Sequence, residues 1–274
     1  MIESHPGASQ RLVCRVLGIA RSAMRPTVPV ERQHDDGDLV MRERIHQLVR
    51  SHPTFGYRRI WALLRHGDGI QINRKRVYRI MRQNRWMVHE RAQTPRPRVQ
   101  SMLSQAAASD ERWATDLTRV DCGADGWGHL VAVIDCHDRQ IIGWELAMRG
   151  RAREAVRALE AACIERFGCL RPANAPTLRS DNGKVFIARN YQQACRDYGI
   201  DQEFITPYTP QQNGMIERFF RSIKEECLWQ HNCTNLAQAR STVAKWLHWY
   251  NNQRPHQSLN YLSPNKFRLR QKVA

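Results

Sequence analysis

The chain has little of what a membrane or secreted protein needs. No stretch reaches the roughly 18 consecutive apolar residues of a membrane span, and no apolar signal core opens the N-terminus, so residence in the cytoplasm is expected. Cys-x-x-Cys pairs are missing too. The eight cysteines (Cys14, Cys122, Cys136, Cys163, Cys169, Cys195, Cys227 and Cys233) are scattered, which reads as reduced, mostly buried thiols rather than a disulfide framework or a zinc site. Heptad repeats are absent, which excludes a long coiled coil. Acidic charge is scarce: 26 Asp and Glu stand against 43 Lys and Arg, for a formal net charge of +17 in 274 residues. A field of that sign gathers polyanions and releases counterions from phosphates, which makes nucleic acid the leading partner.

What is present is unevenly distributed. Residues 1–100 hold 20 basic and 8 acidic residues and residues 101–274 hold 23 and 18, so the net charge is +12 in front and +5 behind. The length suits two or three domains. Residues 8–24 outline two short helices around Leu17-Gly18-Ile19, a helix-turn-helix-like segment assigned to 1–35. Residues 36–90 read as a second helical domain, cut into three pieces by Pro53, Gly56, Gly67 and Gly69. Its last piece opens on Asn73, sets Val77, Ile80 and Met81 on one face, and spreads Arg74, Lys75, Arg76, Arg79 and Arg82 over the remainder. Basic runs are commonly just solvated faces. Behind a three-helix unit with Gly-rich turns, this one is expected to touch DNA.

Residues 91–110 read as a linker, and the period changes after it. Trp113–Cys122, Gly128–Cys136 and Gln140–Met148 read as a three-stranded antiparallel meander. A helix over 151–167, a strand near 177–179, a helix over 187–198, a strand at 202–205 and two longer helices over 213–229 and 236–250 follow. The order βββαβαβαα predicts an α+β domain, a mixed five-stranded sheet with flanking helices over 111–250, with 251–274 as a basic tail.

Three acids stand out by context. Asp116 lies inside the first strand, Asp181 directly follows the fourth, and Glu217 sits one turn into a helix. Moving phosphoryl groups between oxygens is well served by two divalent ions about 3.5–4 Å apart, held by carboxylates that converge from different elements. Burying an acid within a strand costs several kcal/mol unless something such as a metal compensates it. Singly, each acid has an ordinary reading: an edge-strand acid, an Asp-Asn-Gly turn, and an i,i+4 pair of Glu217 with Arg221.

Together with several motifs, these residues resemble the retroviral-integrase superfamily, and in particular the second-frame (OrfB-type) transposases of bacterial insertion sequences. The 35 residues between Asp181 and Glu217 match the family interval. So do Asp135–Trp144, Pro210-Gln-Gln-Asn-Gly-Met-Ile-Glu-Arg218, Gly56-Tyr-Arg-Arg-Ile-Trp61, Val77–Met81, Tyr250–His256, Leu259 and Ser263-Pro264. The common pattern has Ser where Asp138 stands. The resemblance implies an RNase H-like integrase core, a DDE-type polynucleotidyl transferase, and a triad of Asp116, Asp181 and Glu217 holding two Mg2+ ions, with Mn2+ as a substitute. Asn213, Arg221 and Lys224 would touch the transposon end. Water would attack one phosphodiester and the freed 3′-hydroxyl another. Implied partners are element ends and target duplex, further copies of the chain on DNA, and a DNA-binding product of an upstream frame.

Other residues have plainer readings. Asp135 and Asp138 brace a turn, Asp121 and Glu145 lie on solvated strand faces, His137 and His256 are structural, and Trp144 and Trp246 belong to the core. Two rival functions stay open. A DNA-binding accessory or regulatory protein would keep the basic front with an idle core, and a ribonuclease H-type hydrolase would add a fourth acid from the first core helix, where Glu154, Glu160 and Glu165 are available.

Overall fold

The computed structural model describes residues 10–18, 36–88, 106–207 and 209–273. The chain divides into two compact units, 1–44 and 45–274. In the first, helix α1 spans Gln10–Leu17 and Gly18 turns out of it at φ 63°. The second short helix expected before residue 24 lies outside the described residues, as does most of the expected linker. Helix α2, Asp36–Ser51, carries the chain into the second unit.

The second unit opens with a small helical module. Its further helices are α3, Tyr57–Ala62, which runs on through a widened turn over Leu63–Gly67, and α4, Arg74–Gln83. Asn73 caps α4 by accepting from the Lys75 N–H at 2.8 Å. Val77, Ile80 and Met81 are buried at helical spacing, as their sequence positions predict.

The larger part is built on strands β1 (Arg112–Asp121), β2 (Trp127–Asp135), β3 (Ile141–Ala147), β4 (Thr177–Ser180) and β5 (Asp201–Phe204). They form one sheet in the order β3-β2-β1-β4-β5. β1, β2 and β3 are antiparallel neighbours, while β4 and β5 run parallel to β1. This is the mixed five-stranded sheet that the element order predicts.

Helices α5 (Ala152–Phe167) and α6 (Arg189–Asp197) cover one face, and α7 (Gly214–Glu226) and α8 (Leu236–Asn252) the other. Strand side chains alternate between two cores: Val131 and Val133 pack with Leu159, Cys163 and Tyr191, whereas Leu130, Ala132 and Ile134 pack with Ile216, Phe219, Ile223 and Trp246. Both faces are thereby dry. At Gly143 the sheet meets α5 so closely that a Cβ would stand 2.1 Å from the Ala158 carbonyl oxygen. Only a residue without a side chain permits that approach.

Two segments expected to be peripheral are integrated. Residues 106–110, the end of the expected linker, fold onto the core, with Ala106 buried and the Asp110 N–H donating to Asp135 at 2.7 Å. Residues 251–273, expected as a tail, contain helix α9, Pro264–Val273, whose Arg268 pairs with Asp110 at 3.2 Å. The basic composition of 251–274 hid a helix whose cations are partly consumed by core acids.

The helical module seats on this C-terminal region through α3. Arg59 and Arg254 both engage Glu226 at the end of α7, at 3.2 and 2.6 Å. His52 stacks on Trp249, and Trp61 meets Tyr261 edge-on. The motifs at 56–61 and 250–256, distant in sequence, thus form one joint.

Candidate active site

The site begins with a register. β1 and β4 run parallel with Ala114 opposite Arg179. Asp116 lies two residues past that pair on β1, and Asp181 lies two past it, just beyond the end of β4, so both strands carry their acids toward the same end of the sheet. Asp116 shares strand parity with Ala114, whose side chain packs in the core on the α7 side of the sheet. From that side α7 brings Glu217 in its first turn.

Electrostatics ties the three together. The Asp116 carboxyl, half-buried inside β1, is pushed up to about 7; burial is the main cause, and the Leu117 N–H counters it. The charges of Asp181 and Glu217 raise it further, and Lys224 opposes them. An acid raised by burial and by two other carboxylates has the surroundings that a divalent cation would neutralise, and the donors are hard oxygens of the type magnesium takes.

The carboxylates are not drawn into a cage: among the described residues, no three or more His, Cys, Asp and Glu side chains are grouped so as to hold a metal ion. Two of the acids accept from local backbone donors. Asp116 accepts from the Leu117 N–H at 2.7 Å and Asp181 from the Gly183 N–H at 2.9 Å. Gly183 is tight here, since a Cβ would stand 2.8 Å from Asp181 Oδ1.

The residues expected at DNA separate into three groups. Arg74, Lys75 and Arg82 are exposed on α4 with Arg76 and Arg79 half-buried beside them. On α7, Lys224 is half-buried and acts on Asp116, whereas Arg221 is exposed and pairs with Glu225 at 2.9 Å rather than with Glu217. Asn213 is buried: its amide nitrogen donates to the Thr115 carbonyl at 3.3 Å.

Sequence reasoning missed Arg179. It is 2% exposed, donates to both carboxylate oxygens of Glu203 at 3.1 Å and gives its remaining reach to the Gln212 carbonyl at 2.9 Å. A cation inside a four-residue buried strand was the available signal.

The other acids behave as their plainer readings predict. Asp135 accepts from the backbone of Asp110, His137 and Asp138, and buried Arg166 bridges Asp135 and Asp138. Asp121 accepts from the Gly123 N–H, and Glu145 pairs with Arg157 and Arg240. In α5, Glu154 accepts from the Arg151 N–H and Glu160 from the Tyr198 hydroxyl at 2.7 Å, while Glu165 is exposed. Two of the acids that a ribonuclease H-type site would recruit are thus already engaged.

Known proteins give the same outline. An integrase core domain model matches residues 106–210, a second integrase core domain model matches 198–264, and an HTH-like domain model matches 34–93. The chain is 32% identical over 248 residues to transposase InsD for insertion element IS2A/D/F/H/I/K of Escherichia coli, covering 88% of this chain and 81% of that one. In shape it is similar to the catalytic core domain of BIV integrase (TM-score 0.44, 18% identity, 60% of this chain and 97% of that one). It is also similar to the HTLV-2 integrase core in complex with magnesium (TM-score 0.48, 17% identity, 60% and 99%). With an integrase core behind an HTH-like domain and this identity to an insertion-sequence transposase, the chain belongs to the transposases of the DDE polynucleotidyl transferase superfamily.

Proposed function

We propose that the chain cuts and joins insertion-sequence ends at a site made of Asp116, Asp181 and Glu217, which would hold two Mg2+ ions, or Mn2+ in their place. The observation that carries the assignment is the Asp116 carboxyl, set within β1 and raised both by burial and by the other two acids. Bound there, the ions would supply Lewis-acid activation of the attacking oxygen and stabilisation of the leaving one.

The chain's own residues have complementary tasks. Asp116 and Asp181, from adjacent parallel strands, would present fixed carboxylates, and Glu217 would complete the set from α7. Lys224, half-buried and acting on Asp116, is suited to a phosphate oxygen near the reacting bond. Arg221, whose present partner is on the solvent side, suits backbone contact farther along the duplex. Arg74, Lys75, Arg76, Arg79 and Arg82 give α4 a basic surface opposite its buried stripe, suited to duplex DNA. Work on paired ends calls for further copies of the chain on DNA, and an upstream-frame product would supply additional end recognition.

The test is nicking and joining of a labelled end duplex with magnesium, comparing the full chain with Asp181→Asn. Loss of both steps in a folded, DNA-binding variant is expected. Equal activity would remove the site assignment, and cleavage of RNA/DNA hybrid in preference to duplex DNA would replace strand transfer with hydrolysis.

A further inference from the structure

Asp116 sits on β1 and Asp181 directly follows the neighbouring strand β4, so the sheet fixes where both begin. The third acid is not fixed in this way: Glu217 arrives on a separate segment, and its placement depends on where the chain entering α7 is fastened. That entry is a single turn over Pro210–Asn213. Its last two residues are each tied to a different acid-bearing strand. The Gln212 carbonyl accepts from Arg179, two residues before Asp181 on β4, at 2.9 Å. The Asn213 amide donates to the carbonyl of Thr115, the residue before Asp116 on β1, at 3.3 Å. Arg179 and Asn213 are each 2% exposed.

Neither side chain takes the role its type most often has. Asn213 stands at the N-cap position of α7 without making a capping bond. It faces the sheet instead, and its Oδ1 is buried with no donor among the described residues. Arg179 is held from its far side by Glu203, which also pairs with Arg112 at 3.4 Å, so the guanidinium is fixed before it reaches Gln212. The Gln212 side chain closes the preceding loop by accepting from the Thr206 N–H at 2.8 Å. Glu217 follows Asn213 by one helical turn, so a shift at the two anchors is carried directly to its carboxylate.

Resting on the assignment of Asp116, Asp181 and Glu217 as the metal-holding acids, we propose that Arg179 and Asn213 are positioning residues, a two-point latch that sets Glu217 against the two strand acids. Asn213 acts on the active site through the backbone of β1 and not through DNA. Outer residues that orient metal ligands are typically worth 10–100-fold in metal affinity or activity, and displacement of a reacting group by about 1 Å costs roughly a hundredfold in rate.

The experiment titrates the full chain with Mn2+ alone by calorimetry, beside thermal unfolding, duplex DNA binding and strand transfer. Wild type is compared with Asn213→Ala, Arg179→Lys and Asp181→Asn. Lysine keeps a cation against Glu203 but cannot reach Gln212 at the same time, so the second anchor is cut without stranding a buried acid. For Asn213→Ala and Arg179→Lys the expected result is a cooperative fold, unchanged DNA affinity, Mn2+ affinity lower by about tenfold, and strand transfer lower by about a hundredfold and partly restored at high metal. Wild-type Mn2+ affinity in folded Asn213→Ala overturns the latch. So does a loss of DNA affinity with metal affinity intact, which would make Asn213 a DNA contact. If wild type takes up no Mn2+, or Asp181→Asn takes up as much, the active-site assignment itself fails and the latch with it.

Discussion

Helix α7 ends in two acidic clusters that follow opposite rules. At its C-terminal end Glu226, nearly buried, is gripped by Arg254 through both carboxylate oxygens at 2.6 and 2.7 Å and touched by Arg59 at 3.2 Å. At its N-terminal end the charge of Glu217, with that of Asp181, raises Asp116, and the Leu117 N–H and then Lys224 oppose them. The cluster under the β2–β3 turn sides with Glu226: Asp135 and Asp138 share Arg166, and Asp110 pairs with Arg166 and Arg268. Acids whose countercharge is supplied by the chain hold the fold together. Asp116 instead is raised by burial and then by two further carboxylates, the setting in which the proposed metal ions would be held.

The sharpest way to break this contrast is to neutralise one acid in each class. Asp181→Asn should cut strand transfer by about a thousandfold or more, the equivalent of about 4 kcal/mol of transition-state stabilisation, without loss of fold. Glu226→Gln should do the reverse. Removing one partner of a buried pair typically costs about 3–5 kcal/mol, so the urea midpoint should fall steeply. If Glu226→Gln were stable and inactive while Asp181→Asn unfolded, the distinction would be wrong.

A smaller effect probes the repulsion itself. Asp116 titrates near 7 in the fold against an ordinary 3.8. Between those values the native state keeps a proton that the unfolded chain has released, so this group's contribution to stability declines as pH rises through the window. Metal-free Asp116→Asn should therefore be more stable than wild type at pH 8, by roughly 2 kcal/mol given that water still reaches the carboxyl, and equal to it near pH 3. Parallel stability curves at all pH values would show that neither burial nor the other two acids raises Asp116. Smallest is a comparison of two cations: Arg59→Ala, which strips Glu226 of a partner, should lower the melting temperature, whereas Lys75→Ala on α4 should leave it unchanged, weaken duplex binding severalfold and reduce the salt slope by about one.

The strands were legible because their residues are apolar on both faces or alternate, and because Asp116 interrupts such a pattern. The turn-bracing role of Asp135 and Asp138 was legible from their position beside a turn. What remained hidden depends on partners distant along the chain. Asn213 was expected at the transposon end, and its burial follows from α7 packing on β1, which no local pattern encodes. Arg179 drew no notice because a single Arg in a short strand acquires meaning only once Glu203 and Gln212 are beside it. The region after residue 250 read as tail because it is short and basic, and the acids that claim Arg254 and Arg268 lie 28 and 158 residues away.

Glu226 follows Glu217 by nine residues of uninterrupted helix, about 13 Å at 1.5 Å per residue. One end of this rod is pinned by Arg59 and Arg254, where the helical module is seated, and the other carries Glu217, the third acid of the proposed site. On the proposed assignment, a change of tilt at the seat would move Glu217 relative to Asp116 and Asp181.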